Sequence, residues 1–228
     1  MDGSHQGDHS GEPLQRCLGV ILDPLADHSD RRQAEGWLRQ QAEPAFVLAL
    51  LQLAGAQGAA LGISDGMRQL ATWTLRPKLL AAWSAVTDDE RRLLMDMLLE
   101  LLARERVLVI GRCVVEAAAS IAQLVVSAGG EWPELLMHMQ TATAASEPVQ
   151  RALAMVLLEA LVDIVGPQLR PLWPMLLGLP QQLLCDPSAL VVRHALQAIE
   201  LLAPPSAVAR EGATLFQSVL LPPLLEAV

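Results

Sequence analysis

The chain has 228 residues, of which 52% are hydrophobic and 18% charged, with a formal net charge of −9 and a mean hydropathy of +0.35. That mixture excludes a disordered chain, which needs low hydrophobicity and high charge. A pI near 5.0 leaves no basic footprint for nucleic acid.

In chain order, the opening run MDGSHQGDHSGEP has neither a basic segment nor an apolar one, so it is no signal peptide; residues 1–12 read as a disordered tail. Helical periodicity then runs almost without interruption. The first helices fall at 13–25, at 30–42 behind Ser29-Asp30, and at 44–55. After a break at Gly55–Gly62 come 65–84 behind Ser64-Asp65, 88–105 behind Thr87-Asp88-Asp89, and 107–128, which stops at Gly129-Gly130. Helices at 132–145 and 147–165 lead to a break at Gly166-Pro167. The last three are 167–184, 188–203 behind Asp186-Pro187-Ser188, and 206–227 after Pro204-Pro205. The starts at Ser29-Asp30, Ser64-Asp65, Thr87-Asp88-Asp89, Glu147-Pro148 and Asp186-Pro187-Ser188 carry N-cap residues, first-turn acids or tolerated prolines. Sustained period-2 alternation and Asn-Gly turns are missing, so no strands are expected.

Two windows are apolar enough to raise the question of a membrane. Val107–Gly129 is interrupted by Arg112 and Glu116, and Leu93–Ala103 by Asp96 and Glu100. A spanning helix needs about 20 residues with almost no charge, so no membrane insertion is expected. Cys17, Cys113 and Cys185 are far apart in apolar helical settings and read as buried, reduced thiols.

The helices pair, and the second of each pair opens alike. Arg31, Arg68, Arg112, Arg151 and Arg193 recur at spacings of 37, 44, 39 and 42. Three residues on comes Ala34, Ala71, Val115, Ala154 or Leu196; seven on comes Leu38, Leu75, Ala119 or Leu158, with Glu200 the exception. Glu131-Trp132-Pro133 and Leu172-Trp173-Pro174 echo each other 41 residues apart. A two-helix unit with a period near 40 is the signature of a HEAT-type solenoid. The expected fold is therefore all-α, an α-α superhelix of about five helix pairs and part of a sixth over 13–228. Helices buried by neighbours on both sides account for the hydrophobicity. The apolar end, Leu220-Leu221-Pro222-Pro223-Leu224-Leu225, lacks a polar capping helix and predicts a truncated chain.

Residues 31–102 carry more than generic spacing. They run RRQAEGWLRQ, PAFVLALLQLA, MRQLATWTLRPKLLAAW and DDERRLLMDMLLELL, with Ala34, Glu35 and Leu38, then Pro44 and Phe46, then Arg68, Ala71, Leu75 and Trp83. In that order these resemble the N-terminal domain of importin-β-family nuclear transport receptors, and Trp132-Pro133-Glu134-Leu135-Leu136 resembles the family's next unit. Within the family the Arg-Gln-x-Ala phrase looks most like importin-4 and its relatives. Pro77 departs from the pattern: it stands in what the family has as a continuous basic helix, leaves only Arg76 and Lys78 of the basic cluster, and should kink that helix.

The resemblance implies a shuttling receptor of cytoplasm and nucleus, found at the nuclear pores. It would bind Ran-GTP on the second helices of the first repeats, protein cargo inside the superhelix, and Phe-Gly nucleoporins on the convex side. Carried over, the Ran-facing candidates are Arg31, Glu35, Arg68, Thr72, Lys78, Arg112 and Glu116. Against this, Arg31/Glu35 and Arg112/Glu116 have the spacing of intrahelical ion pairs worth ~0.2–0.5 kcal/mol, and the repeated arginine suits an inter-repeat ladder. Acidic balance fits basic cargo, with Glu159, Asp163 and Glu200 as cargo-facing acids or as parts of a solvated face. The competing reading is a HEAT scaffold subunit that does not bind Ran.

Nothing points to an enzyme, a cofactor or a metal. No Gly-rich phosphate loop, Gly-x-Ser-x-Gly elbow or paired Cys motif occurs. His5 and His9 sit in the tail. Met137-His138-Met139 cannot share one helix face, and His28 and His194 have no ligand partners nearby in the chain.

Overall fold

The computed structural model describes residues 11–41, 43–56 and 63–202. Among them are ten α-helices, one 3-10 turn and no strand. The expected helix at 206–227 and the apolar end lie outside the described residues. The described part divides into two compact units, one ending at Arg104 and the other beginning at Glu105.

The N-terminal unit holds α1 (Gly11–Leu22), α2 (His28–Gln40), α3 (Pro44–Gly55), α4 (Asp65–Ala82) and α5 (Asp88–Arg104). α1 begins at Gly11, just inside the expected tail. The PAFVLALLQLAG sequence of α3 is apolar all round, and this helix packs on both α4 and α5. Pro44 is tolerated in its first turn, where no backbone donor is needed. α1 packs on α2 and α4. Thr87 and Glu90 open α5 with a capping box: the Thr87 amide donates to Glu90 Oε2 (2.7 Å) and the Glu90 amide to Thr87 Oγ1 (3.3 Å). Leu50, Leu75 and Leu98 are fully buried, each contributing about 1.5–3 kcal/mol of apolar transfer.

α4 runs as one helix from Asp65 to Ala82 with Pro77 inside it. The ring removes one hydrogen bond, but Leu75, Leu79 and Ala82 on the buried stripe hold the helix on either side. The expected kink does not end the helix.

The C-terminal unit holds α6 (Leu108–Ser127), α7 (Pro133–Thr143), α8 (Pro148–Leu169), α9 (Trp173–Gln182) and α10 (Ala189–Leu202). α8 is central, packed on α6, α7 and α10. α6 meets it closely: a Cβ on Gly111 would sit 2.4 Å from Leu153 Cδ1, so only glycine leaves room for that leucine. α6 is the one helix among the described residues with the length and hydropathy to cross a membrane. Its apolar residues from Ile110 to Ala122 are buried in the unit, which accounts for that hydropathy. It closes at Gly129 (φ +78°), where the Gly129 and Gly130 amides reach back to the Val126 and Val125 carbonyls.

The break expected at Gly166-Pro167 is present as a kink at which two helical stretches meet. Val165 leaves helical dihedrals (φ −125°, ψ 20°), α8 continues to Leu169, and a 3-10 turn at Arg170–Leu172 leads into α9. The Trp-Pro echo marks two helix starts, with Pro133 and Pro174 in the first turns of α7 and α9.

The cysteines differ from one another. Cys17 is buried, its Sγ donates to the Ala34 carbonyl (3.2 Å), and burial pushes its thiol up to about 11. Cys185 is exposed, contrary to the expectation, because the turn after α9 turns it outward. Native protein treated with iodoacetamide at pH 8 is expected to be alkylated at Cys185 and spared at Cys17, as read by peptide mass spectrometry. Equal labelling would refute this placement.

Candidate functional site

The repeated arginines fall into two groups, and backbone hydrogen bonds separate them. The residue whose amide closes the first turn of its helix is Arg31 (to the Asp27 carbonyl, 3.1 Å), Arg68 (Ser64, 3.0 Å), Arg91 (Thr87, 2.9 Å) and Arg151 (Glu147, 3.3 Å). From that position each guanidinium reaches the end of the preceding helix. Arg31 donates to the Asp23 carbonyl, Arg68 to Ala54 (2.9 Å), Arg91 to Trp83 (3.2 and 3.3 Å), and Arg151 to Ala145 and Ser146 (2.8 and 2.9 Å). Helix C-termini leave orphan carbonyls and the negative end of the dipole, so a cation satisfies both. Arg151 goes further and grips Asp186 with two bonds (2.6 and 2.9 Å), tying α8 to the turn before α10.

In α6 and α10 the same backbone position belongs to Gly111 (to Val107, 3.0 Å) and Val192 (to Ser188, 3.1 Å). Arg112 and Arg193 therefore sit one residue later, about 100° around the helix. This shift explains the Glu200 exception. In α10 the buried stripe runs through Ala195 and Ile199, while Leu196 is 46% exposed and Glu200 exposed.

The individual candidates are distributed as follows. Arg68 is 4% exposed and Thr72 fully buried, its Oγ1 donating to the Arg68 and Gln69 carbonyls. Neither side chain presents itself on a surface, because both are consumed in the α3–α4 packing. Lys78 donates its ammonium to the Arg39 and Gln41 carbonyls at the end of α2, and desolvation lowers its pKa. The pairings suggested by spacing also change: Glu35 pairs with Arg39 (2.8 Å), and Arg31 turns back to Asp23. Glu116, Asp163 and Glu200 are exposed on α6, α8 and α10. Trp73, which the sequence reading did not single out, is 72% exposed on α4 between Gln69 and Pro77.

One cluster was invisible in the sequence. His194 on α10 is 1% exposed; its Nδ1 lies 3.0 Å from Glu159 Oε1 on α8, and its Nε2 lies 3.2 Å from Arg112 Nη2 on α6 and 3.4 Å from Arg193 Nη2. A carboxylate only accepts and a guanidinium only donates. The ring therefore carries its proton on Nδ1 and accepts at Nε2, as a neutral imidazole. Far from lacking partners, His194 joins three consecutive second helices. Residues 82 positions apart carry no local signal of such a meeting.

The Met137-His138-Met139 trio divides as helix geometry requires, with Met139 buried, Met137 exposed and burial lowering the pKa of His138. Among the described residues no group of three or more His, Cys, Asp and Glu is placed to hold a metal ion.

Paired helices, first-turn cations and stacked second helices define an all-α protein of the α-α superhelical, HEAT-repeat class. A structure similar to it is the crystal structure of Kap121p, with a TM-score of 0.69 at 21% identity, over 97% of this chain and 20% of that one. The chain thus spans a fifth of that structure's length, and the likeness shows the fold. Residues 109–228 match the family described as IPO5-like, TPR repeats, and the chain belongs to it, within the importin-β group. That match begins beyond the 31–102 stretch that carries the resemblance in the sequence. No curated protein matches the chain.

Proposed function

We propose that the chain is part of a nuclear transport receptor of the importin-β type, with its N-terminal phrase most like importin-4, that binds Ran-GTP and helps carry protein cargo through the nuclear pore. The family match over 109–228 is the observation that carries this reading. The exposed residues of the second helices support it. In the N-terminal unit Trp73 is exposed and Arg31 and Glu35 are half-buried; in the C-terminal unit Arg112 and Glu116 are exposed. Arg68 and Thr72 are buried and Lys78 is bonded to the end of α2, so these three act in the reading as supports of the helices. Asp163 and Glu200 are the acids free to meet basic cargo, whereas Glu159 is held by His194. Phe-Gly nucleoporins would bind between first helices, and the receptor would shuttle between cytoplasm and nucleus.

The test is to mix the purified chain with Ran loaded with a non-hydrolysable GTP analogue and, separately, with Ran-GDP. Preferential capture of the GTP form is expected. Equal binding to both, or none to either, would return the chain to the scaffold reading.

A further inference from the structure

We infer that Lys78 is a latch controlled by acylation: transfer of an acyl group to its Nζ releases the end of α2 from α4. Lys78 is the only lysine in the chain. It stands in α4 and donates its ammonium to the carbonyls of Arg39 (2.8 Å) and Gln41, 39 and 37 residues back. Arg39 lies in the last turn of α2, and Gln41 ends the helix. Gln41 is extended (φ −69°, ψ 124°), so α2 stops without a left-handed turn such as closes α6 at Gly129. The ammonium takes the place of that turn, and its charge meets the negative end of the helix dipole. In the same last turn the Trp37 carbonyl accepts from the Gln41 side chain (3.3 Å).

Little else holds α2. Leu38 is its buried residue, and an edge contact of Trp37 with Phe46 (5.7 Å) and the Cys17 bond to Ala34 add to that anchor. Its other side chains are exposed or half-buried, so the last turn of α2 opens at small cost once its cap is lost. An ammonium offers three donors and a charge, whereas an acyl-lysine offers one N–H and no charge. One neutral donor cannot serve two carbonyls and the dipole together. The chemistry is a single substitution. The free amine of Lys78 attacks the carbonyl carbon of an acyl thioester, the C–N bond forms, the C–S bond breaks, and the proton leaves with the thiolate. Lys78 is half-buried and its bond to Arg39 is exposed, so Nζ meets the reagent when the two bonds open. Desolvation lowers its pKa and raises the share of free amine. Because α2 and α4 are second helices of the face on which the proposed function rests, the latch adds a means of regulating that face.

The test uses the whole chain and needs no Ran, so the latch and Ran binding can fail separately. Lys78 is replaced by Nε-acetyl-lysine during synthesis, and amide hydrogen exchange is followed by mass spectrometry. Exchange across 36–41 is expected to quicken at least about fivefold over the unmodified chain, while 94–102 in α5 keeps its rate. K78Q should behave like the acetylated chain. K78R, which keeps the charge and several donors, should stay near the wild type. In addition, native chain treated with N-acetoxysuccinimide at pH 7.5 should be acetylated at Lys78, as read by peptide mass spectrometry. Unchanged exchange over 36–41, an equal rise in α5, or loosening by K78R as great as by K78Q overturns the proposal. So does a Lys78 that the reagent modifies only after unfolding in urea.

Discussion

Replacing Arg151 by methionine is expected to destabilise the C-terminal unit by about 2–4 kcal/mol, measured by urea unfolding. The side chain is 12% exposed and its partner Asp186 5%. The change removes two charge-assisted bonds to Asp186 and uncovers the Ala145 and Ser146 carbonyls at the end of α7. Most of the loss comes from leaving the Asp186 carboxylate without its counter-charge, so replacing both residues together, as R151M/D186L, should recover part of it. The recovery will be incomplete, because Asp186 also accepts the Ser188 amide ahead of α10 (2.9 Å). Arg151→Lys is not conservative here: an ammonium cannot bind a carboxylate in two places and two carbonyls at once.

The same pair gives the chain a defined acid response. Hydrogen bonding to Arg151, then the Ser188 amide and the guanidinium charge, hold the Asp186 carboxyl below its ordinary value despite burial. Unfolding releases it to an ordinary pKa of about 3.9. Because the folded value is the lower, the contribution is fully present above the unfolded pKa and is lost as pH falls through the folded one. Unfolding free energies measured between pH 7 and pH 2 should therefore decline at the acid end less steeply in D186N than in the wild type. Parallel declines would refute the assignment.

His194→Leu is the second change with a large expected effect, a loss of about 2 kcal/mol. Leucine fills the space but leaves the Glu159 carboxylate without its donor and Arg112 without its acceptor. Glutamine offers one donor and one acceptor, so His194→Gln should lose distinctly less. Glu159→Gln should cost less than His194→Leu, since an amide oxygen still accepts from Nδ1. Nitrogen-15 NMR of the imidazole supplies the decisive readout: a proton resident on Nδ1 is expected, and a proton resident on Nε2 would refute the arrangement whatever the stabilities.

The sequence determined the class of this protein. A period near 40, helix starts at Ser64-Asp65 and Thr87-Asp88-Asp89, the stop at Gly129-Gly130 and the Trp-Pro openings are all local statements. Helices follow them because caps, prolines and the spacing of apolar residues act within a turn or two. For the same reason α3, α5 and α6 lie within a residue or two of their expected bounds. Gly166-Pro167 is a local signal of the same kind: Val165, the residue before it, leaves helical dihedrals, and two helical stretches meet there in a kink.

What only the tertiary structure decided is the direction in which each side chain points. Five arginines at regular spacings look equivalent in a string of letters, yet a one-residue difference in phase is about 100° on a helix. Arg31, Arg68 and Arg151 cap the preceding helix, while Arg112 and Arg193 turn away to meet His194. Glu35 chose Arg39 over Arg31 by the same geometry, and Thr72 passed from candidate contact to core. Local chemistry fixes where a helix begins and ends, but its rotation about its own axis is settled by the neighbours that bury one side of it. The identity of this face, and any partner it takes, follows from that rotation.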